Sequence, residues 1–249
     1  GKVAQIALRI NPDVDAHTHE YITTGLNENK FGFAMNILGE VIERLKSLKN
    51  IKLIGIHFHI GSQIEEFTPF AALCKRINEK EITLEHINVG GGLGIDYENP
   101  NANPIPDFEG YFETFHKNLE LRDGQIVHFE LGRAIVAQSG ALVTRTVYVK
   151  EGENKSFVIV DAGMTDLIRP ELYQAYHKVE NISSNLQVKK YDVVGPICES
   201  SDVFVKDYEL NETQRGDILV LRSAGAYGEI MASQYNCRDL PKAYYSDKI

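Results

Sequence analysis

The sequence has no apolar run approaching the roughly 20 residues needed to cross a bilayer. Its longest, such as FVIV at 157–160 and DILVL at 217–221, are strand-sized. The opening stretch, GKVAQIALRINPDVD, lacks the basic, apolar and cleavage regions of a secretory leader. It also lacks an initiator Met, so this start is not expected to be the native one. Cysteine is scarce: Cys74, Cys198 and Cys237 form an odd, widely spaced set, which fits neither a disulfide framework nor a CxxC metal site. A reducing cytoplasm is the simplest setting. There is no block of like charge, although 35 acidic side chains outnumber 26 basic ones for a net charge of −9, so nucleic acid is a poor partner. What is present is the balance of an ordinary globular protein: 249 residues, 43% hydrophobic and 24% charged, enough for one large barrel or two medium domains.

No internal repeat or low-complexity linker is visible. Over the first 140 residues, strand-like and helix-like segments alternate: AQIALRI, helical NILGEVIERLKSLK, KLIGIHFHI, a helix around FAALCKRIN, LEHINVG, helical YFETFHKNLEL, then QIVHFEL. This rhythm predicts a parallel sheet or barrel. Leu38, Val41, Ile42, Leu45 and Leu48 share one helical face, which predicts packing on a sheet. NPNANPIPD, residues 99–107, carries three prolines and is expected to be an irregular surface loop. After Gly140 the texture changes to short β-type runs, ALVTRTVYVKE, KSFVIVDAG, YDVVGPI and GDILVLRSAG, where an antiparallel β domain should begin.

Several segments combine chemistry with an irregular local pattern. In KLIGIHFHIGSQ, strand periodicity puts His57 and His59 on one face, ahead of Gly61 and Ser62. Taken alone they are equally well a pair of satisfied core histidines, and no nearby third ligand argues for zinc; a flat imidazole against a flat cofactor ring is the other option. INVGGGLGIDY puts Gly90, Gly91 and Gly92 after a strand, where backbone N–H groups can cradle phosphate or simply make a tight turn. The spacing is neither GxGxxG nor a Walker loop. HFELGRAIVAQSG places Glu130 and Arg133 around Gly132, as site residues or as a structural ion pair. Three successive strand ends thus carry chemistry, which is where a parallel barrel assembles its ligand sites. The β-rich half adds Arg169 and Tyr173 in DLIRPELYQAYH, and Tyr227 in RSAGAYGEIMASQYN. Cys198 and Glu199 stand side by side in YDVVGPICESSD, where an apolar strand should end.

Taken together and in this order, HFHIGSQ, NVGGGLGIDY, ELGRAIVAQSG, DAGMTDLIRPELYQAYH, GPICESSD and RSAGAYGEIMASQYN resemble the fold-type III pyridoxal 5′-phosphate decarboxylases. DLIRPELYQAYH with CESSD favours their diaminopimelate decarboxylase branch over the ornithine branch. The resemblance covers nearly the whole chain. It implies an alanine-racemase-like (β/α)8 TIM barrel, present here in its later part over 1–139, followed by a mainly β domain over 140–249. The implied activity is decarboxylation of meso-2,6-diaminopimelate to L-lysine, the last step of lysine biosynthesis. Other amino acids (ornithine, arginine or carboxynorspermidine) and a catalytically dead regulatory relative are the alternatives.

The resemblance also implies roles. His59 would stack on the pyridine ring. Ser62 and Gly90 to Gly92 would hold the phosphate with the Gly132 backbone, and Glu130 would bond the pyridine nitrogen. Arg133, Arg169 and Tyr173 would grip a substrate carboxylate and Glu199 the distal amino group, with Arg133 and Tyr227 serving cofactor and substrate both. Cys198 would be the acid that reprotonates the substrate carbon, entering the active site of a neighbouring subunit in a homodimer. Three departures stand out. No residue matches the family's Schiff-base lysine, since Lys2, Lys30 and the other lysines lie in the wrong motifs. IEEFTPFAALCKRINEKEIT is also shorter than the usual excursion between its strands, and Leu131 stands where proline is more common.

Overall fold

The computed structural model describes residues 1–14 and 30–248. They divide into two compact units, Gly1–Gly94 with Pro106–Gly132, and Ile95–Ile105 with Arg133–Ile249.

The first unit is built on parallel strands β1 (Ala4–Asn11), β2 (Phe33–Ala34), β3 (Ile51–His57), β4 (His86–Asn88) and β5 (Ile126–His128). They lie in the order β2-β1-β3-β4-β5, and every pairing is parallel. Helices α1 (Leu38–Lys46), α2 (Thr68–Asn78) and α3 (Phe108–Asn118) separate the strands along the chain. The apolar face of α1 is only half-buried and packs on β3. Asp107 caps α3 by accepting the Gly110 N–H at 2.8 Å, satisfying one of the donors a helix start leaves unpaired. Although the segment after Gln63 reads short, β3, α2 and β4 complete a β-α-β crossover. The core is apolar and aromatic: Phe58, Ile60, Phe70, Leu73 and Tyr111 are fully buried. Phe70 and Tyr111 meet edge to face at 4.9 Å.

The second unit takes in Ile95–Ile105 and a short helix, α4 (Arg133–Val136), both ahead of the change to β texture seen near Gly140. Its strands are β6 (Leu142–Glu151), β7 (Ser156–Val160), β8 (Val179–Asn181), β9 (Val188–Val194), β10 (Val203–Asn211) and β11 (Ile218–Leu221). The order is β10-β9-β7-β6-β11-β8. Four of the pairings are antiparallel as expected, and β7 with β9 is parallel, so the sheet is mixed. The cause lies in the connection: β8 pairs on the far side of β11 before the chain returns along β9. Val158, Val160, Val193, Leu219 and Leu221 fill the core of this unit. Between β7 and β8 sits α5 (Arg169–Tyr173), started by Pro170 in its first turn and ended by Gln174 in the left-handed region at φ 52°.

Candidate active site

In the first unit the site grows from three neighbouring strand ends. β3 ends at His57, and Phe58 continues the pairing by donating its N–H to the Asn88 carbonyl at 2.7 Å. Phe58 is wholly buried, so His57 and His59 face the opposite side, as period-two geometry requires. His57 Nε2 lies 3.3 Å from Glu130 Oε2, while Asn88 Nδ2 donates to Glu130 Oε1 at 2.8 Å. Burial alone would raise the Glu130 carboxyl, but the Asn88 bond and the nearby histidines together hold it below the usual carboxylate range. Glu130 is therefore an ionised acceptor at neutral pH.

The His59 imidazole is pushed down to about 4, first by burial and then by the charges of Arg9 and His57. It is neutral at pH 7. Gly91 donates its N–H to His59 Nδ1 at 3.3 Å, which leaves the ring proton on Nε2.

The glycines are required by backbone approach. A Cβ on Gly91 would sit 2.2 Å from the Glu130 carbonyl oxygen, and Gly90 and Gly92 adopt φ of 73° and 111°. Their N–H groups are not a row of three free donors, however. Gly90 donates to Asn88 Oδ1 at 2.8 Å and Gly91 to His59, leaving the Gly92 N–H without a partner among the described residues. Ser62 lies half-buried in the turn after β3, and Gly132 is exposed just past Glu130.

The second unit carries a cluster of cations. Arg133 and Arg169 are only 6% and 5% exposed. Both donate Nη1 hydrogens to the same Tyr97 hydroxyl, at 2.6 Å and 2.9 Å. Their guanidinium carbons also lie 5.8 Å and 5.0 Å from the Tyr97 ring centroid. Tyr227, held at φ 57°, brings its ring to 4.9 Å from the Arg133 guanidinium carbon. Tyr173 is half-buried at the end of α5.

His177 completes the cluster. Its Nε2 lies 3.0 Å from Arg169 Nη1 and its Nδ1 2.9 Å from the Arg222 carbonyl oxygen. Arginine only donates and a carbonyl only accepts, so His177 is the neutral Nδ1–H tautomer. Burial and the adjoining arginines push it down to about 4, although the Arg222 carbonyl opposes them. Burial likewise lowers the Arg169 guanidinium, with Tyr97 offsetting part of that and Arg133 adding to it. No acidic side chain pairs with Arg169 among the described residues, and its Nε is buried without a hydrogen-bond partner. Such a group is chemically suited to an incoming anion, above all a carboxylate.

The thiol lies in the loop between β9 and β10. Asp202, 3% exposed, accepts the Ile197 N–H at 2.7 Å and the Met164 N–H at 2.6 Å, while its own carbonyl accepts the Gly195 N–H. Cys198 and Glu199 stand exposed on this anchored loop. Tyr235 donates its hydroxyl to Glu199 Oε1, and Ser201 bonds Oε2 at 3.3 Å. Among the described residues no hydrogen bond, ion pair or ring contact joins Cys198 or Glu199 to the arginine cluster.

Residues 1–137 match the model of the pyridoxal-dependent decarboxylase, pyridoxal binding domain. The chain belongs to the pyridoxal-dependent decarboxylases. A diaminopimelate decarboxylase of Bacteroides thetaiotaomicron is 61% identical over 255 residues, covering 100% of this chain and 66% of the relative. Among solved structures, diaminopimelate decarboxylase from Helicobacter pylori complexed with L-lysine matches with a TM-score of 0.85 and 42% identity, over 95% of this chain and 60% of that one. The M. jannaschii diaminopimelate decarboxylase in co-complex with L-lysine matches at 0.82 and 34%, over 96% and 57%. The chain thus spans about three fifths to two thirds of the length of these relatives. The likeness to diaminopimelate decarboxylase read from the six segments is borne out, and so is the fold class: part of an alanine-racemase-like (β/α)8 barrel with a following β domain.

Sequence reasoning missed Asn88 beside Glu130 in the first unit, and Tyr97 and His177 in the arginine cluster of the second. All three lie inside segments already singled out, but their partners are distant: Tyr97 is 36 residues from Arg133 and 72 from Arg169. The GGGLGIDY and YQAYH segments gave no local signal that separates a site tyrosine or histidine from a packed one. Arg9, whose charge acts on His59 and Glu130, looks in sequence like an ordinary strand residue.

Proposed function

We propose that this chain serves the pyridoxal-phosphate-dependent decarboxylation of meso-2,6-diaminopimelate to L-lysine, the last step of lysine biosynthesis, in the cytoplasm. The observation that carries the proposal is the pair of buried arginines sharing Tyr97, with an unsatisfied Nε on Arg169. Ornithine and arginine have a single carboxylate, the one that is lost, whereas diaminopimelate brings a second that needs cationic partners. The names of the relatives and the L-lysine in two of their structures support this choice.

The residues fit the cofactor. The close glycine turn, a neutral imidazole beside it and an ionised carboxylate on the next strand end suit a phosphate, a ring face and a ring nitrogen in turn. Pyridoxal phosphate, when bound, supplies an electron sink for the electron pair left as CO₂ departs. Glu130 would keep the ring nitrogen protonated, and His59 would lie against the ring. Ser62, the Gly92 N–H and the Gly132 backbone would take the phosphate; Gly90 and Gly91 would contribute through their close backbone path. The first unit is accordingly assigned to the cofactor and the second to the substrate and the acid.

Arg133 and Arg169 with Tyr173 would bind the carboxylate that is retained, beside Tyr227, and Glu199 would take the distal amino group. Cys198 would deliver its thiol proton to the substrate carbon as a general acid. The exposure of Cys198 and Glu199 on their anchored loop fits a homodimer in which this loop serves the partner's site. The lysine that carries the cofactor is assigned to polypeptide outside these residues.

The test uses the full-length protein reconstituted with pyridoxal phosphate. It should gain a visible absorbance that borohydride abolishes, and release CO₂ from meso-diaminopimelate. Cys198→Ala should keep that absorbance while turnover falls by about 100-fold or more. Unchanged turnover would remove the thiol as the acid, and no absorbance with no CO₂ would overturn the proposal.

A further inference from the structure

The cluster around Tyr97 has a hydrogen-bond balance that can be worked out atom by atom. Arg169 Nη1 carries two hydrogens, and the structure gives it two acceptors, the Tyr97 hydroxyl oxygen at 2.9 Å and His177 Nε2 at 3.0 Å. That nitrogen is fully used. The same Tyr97 oxygen accepts from Arg133 at 2.6 Å, so both of its lone pairs are taken by guanidinium groups. His177 is in turn fixed as an acceptor toward Arg169 because its other nitrogen donates to the Arg222 carbonyl. What remains on Arg169 is the edge made by Nε and Nη2, and Nε is buried with no partner. A guanidinium presents that edge as two parallel donors, the geometry that a carboxylate matches with both oxygens.

We propose that Tyr97 and His177 are a positioning pair: by occupying Nη1 and tying two like-charged guanidinium groups to one oxygen, they reserve the Nε and Nη2 edge of Arg169 for a ligand carboxylate. This rests on the proposed function and deepens it by naming the residues that set carboxylate specificity. Neither residue needs to touch the ligand. Their removal leaves both arginines in place but frees Nη1 to seek other acceptors, so the cost falls on the carboxylate and spares the rest of the ligand.

The experiment compares two ligands on the full-length protein loaded with pyridoxal phosphate: L-lysine, and 1,5-diaminopentane, which is lysine without its carboxylate. Tyr97→Phe keeps the ring and its stacking and deletes only the oxygen. It should weaken L-lysine about 10- to 100-fold, the range for losing hydrogen bonds to a charged group, and leave 1,5-diaminopentane within about twofold. In turnover it should raise KM far more than it lowers kcat. His177→Phe should repeat this pattern. His177→Gln, which keeps an acceptor for Nη1, should bind L-lysine within about threefold of wild type. Equal weakening of both ligands, unchanged L-lysine binding in Tyr97→Phe, or a Gln variant no better than the Phe variant would each overturn the positioning role. A wild-type protein that binds neither ligand overturns the functional reading and this inference with it.

Discussion

Asp202 ends the CESSD segment, and its buried carboxylate holds the backbone N–H groups of Ile197 and Met164. Burial raises this carboxyl above the usual range, against the pull of those two bonds. Replacing it with alanine leaves two enclosed donors unpaired, so Asp202→Ala should cost about 2 kcal/mol in a denaturant titration, and Asp202→Asn, which keeps one acceptor oxygen, less. An unchanged midpoint for the alanine variant would remove its role as the anchor of the thiol loop. The two buried histidines predict a pH effect. His59 and His177 fall from an ordinary 6.5 to about 4 in the folded state. The unfolded chain therefore takes up protons first as pH drops, so stability is full above pH 6.5, declines towards pH 4 and then levels off. Measured as thermal midpoints against pH, His177→Gln should show a shallower decline over that window; an unaltered slope would contradict its neutral, buried state. At this scale the charged and thiol-bearing residues proposed for the site were legible as candidates, because glutamate, arginine and cysteine stand out in an apolar context. Asn88, Tyr97 and His177 were not, because their significance lies in partners far along the chain.

At the scale of elements, β3, β4 and β5 stop in register at His57, Asn88 and His128, and the residues just past them carry His59, the glycines and Glu130. Parallel strands whose ends line up gather such turns at one edge, which explains why segments about 30 to 40 residues apart in sequence converge. The turn after β4 is tightly packed. Gly91→Ala would drive a Cβ into the Glu130 carbonyl oxygen and force the backbone apart. The expected result is a folded protein, by circular dichroism, whose turnover falls about 100-fold because His59 and Glu130 no longer hold their spacing; full activity would show that the close approach is not needed. The helix and strand rhythm was readable wherever the apolar period was regular. β10 escaped because its pairing with β9 is interrupted by register shifts, with Asp207 at φ 49°, and a bulge destroys the alternation on which a strand is recognised. The short α5 escaped because five residues give no helical period.

At the scale of the molecule, the two units follow the texture of the sequence, with alternating β/α segments in one and short β runs in the other. The ordered set of six segments made the family legible, because each combines glycine, charged, aromatic or thiol residues in a pattern that strand or helix propensity does not account for. The mixed β7–β9 pairing was not legible, since strand composition says nothing of direction. Among the described residues no helix is long and apolar enough to cross a membrane. In the proposed function, two arginines on one tyrosine select a diamino acid with a second carboxylate. The most direct test of this selection is kcat/KM of the full-length protein, with pyridoxal phosphate, for meso-diaminopimelate against ornithine and arginine. A site built around a carboxylate should favour diaminopimelate by about 10⁴-fold, since a substrate without that group leaves buried cations unpaired; comparable values for the three substrates would contradict the account.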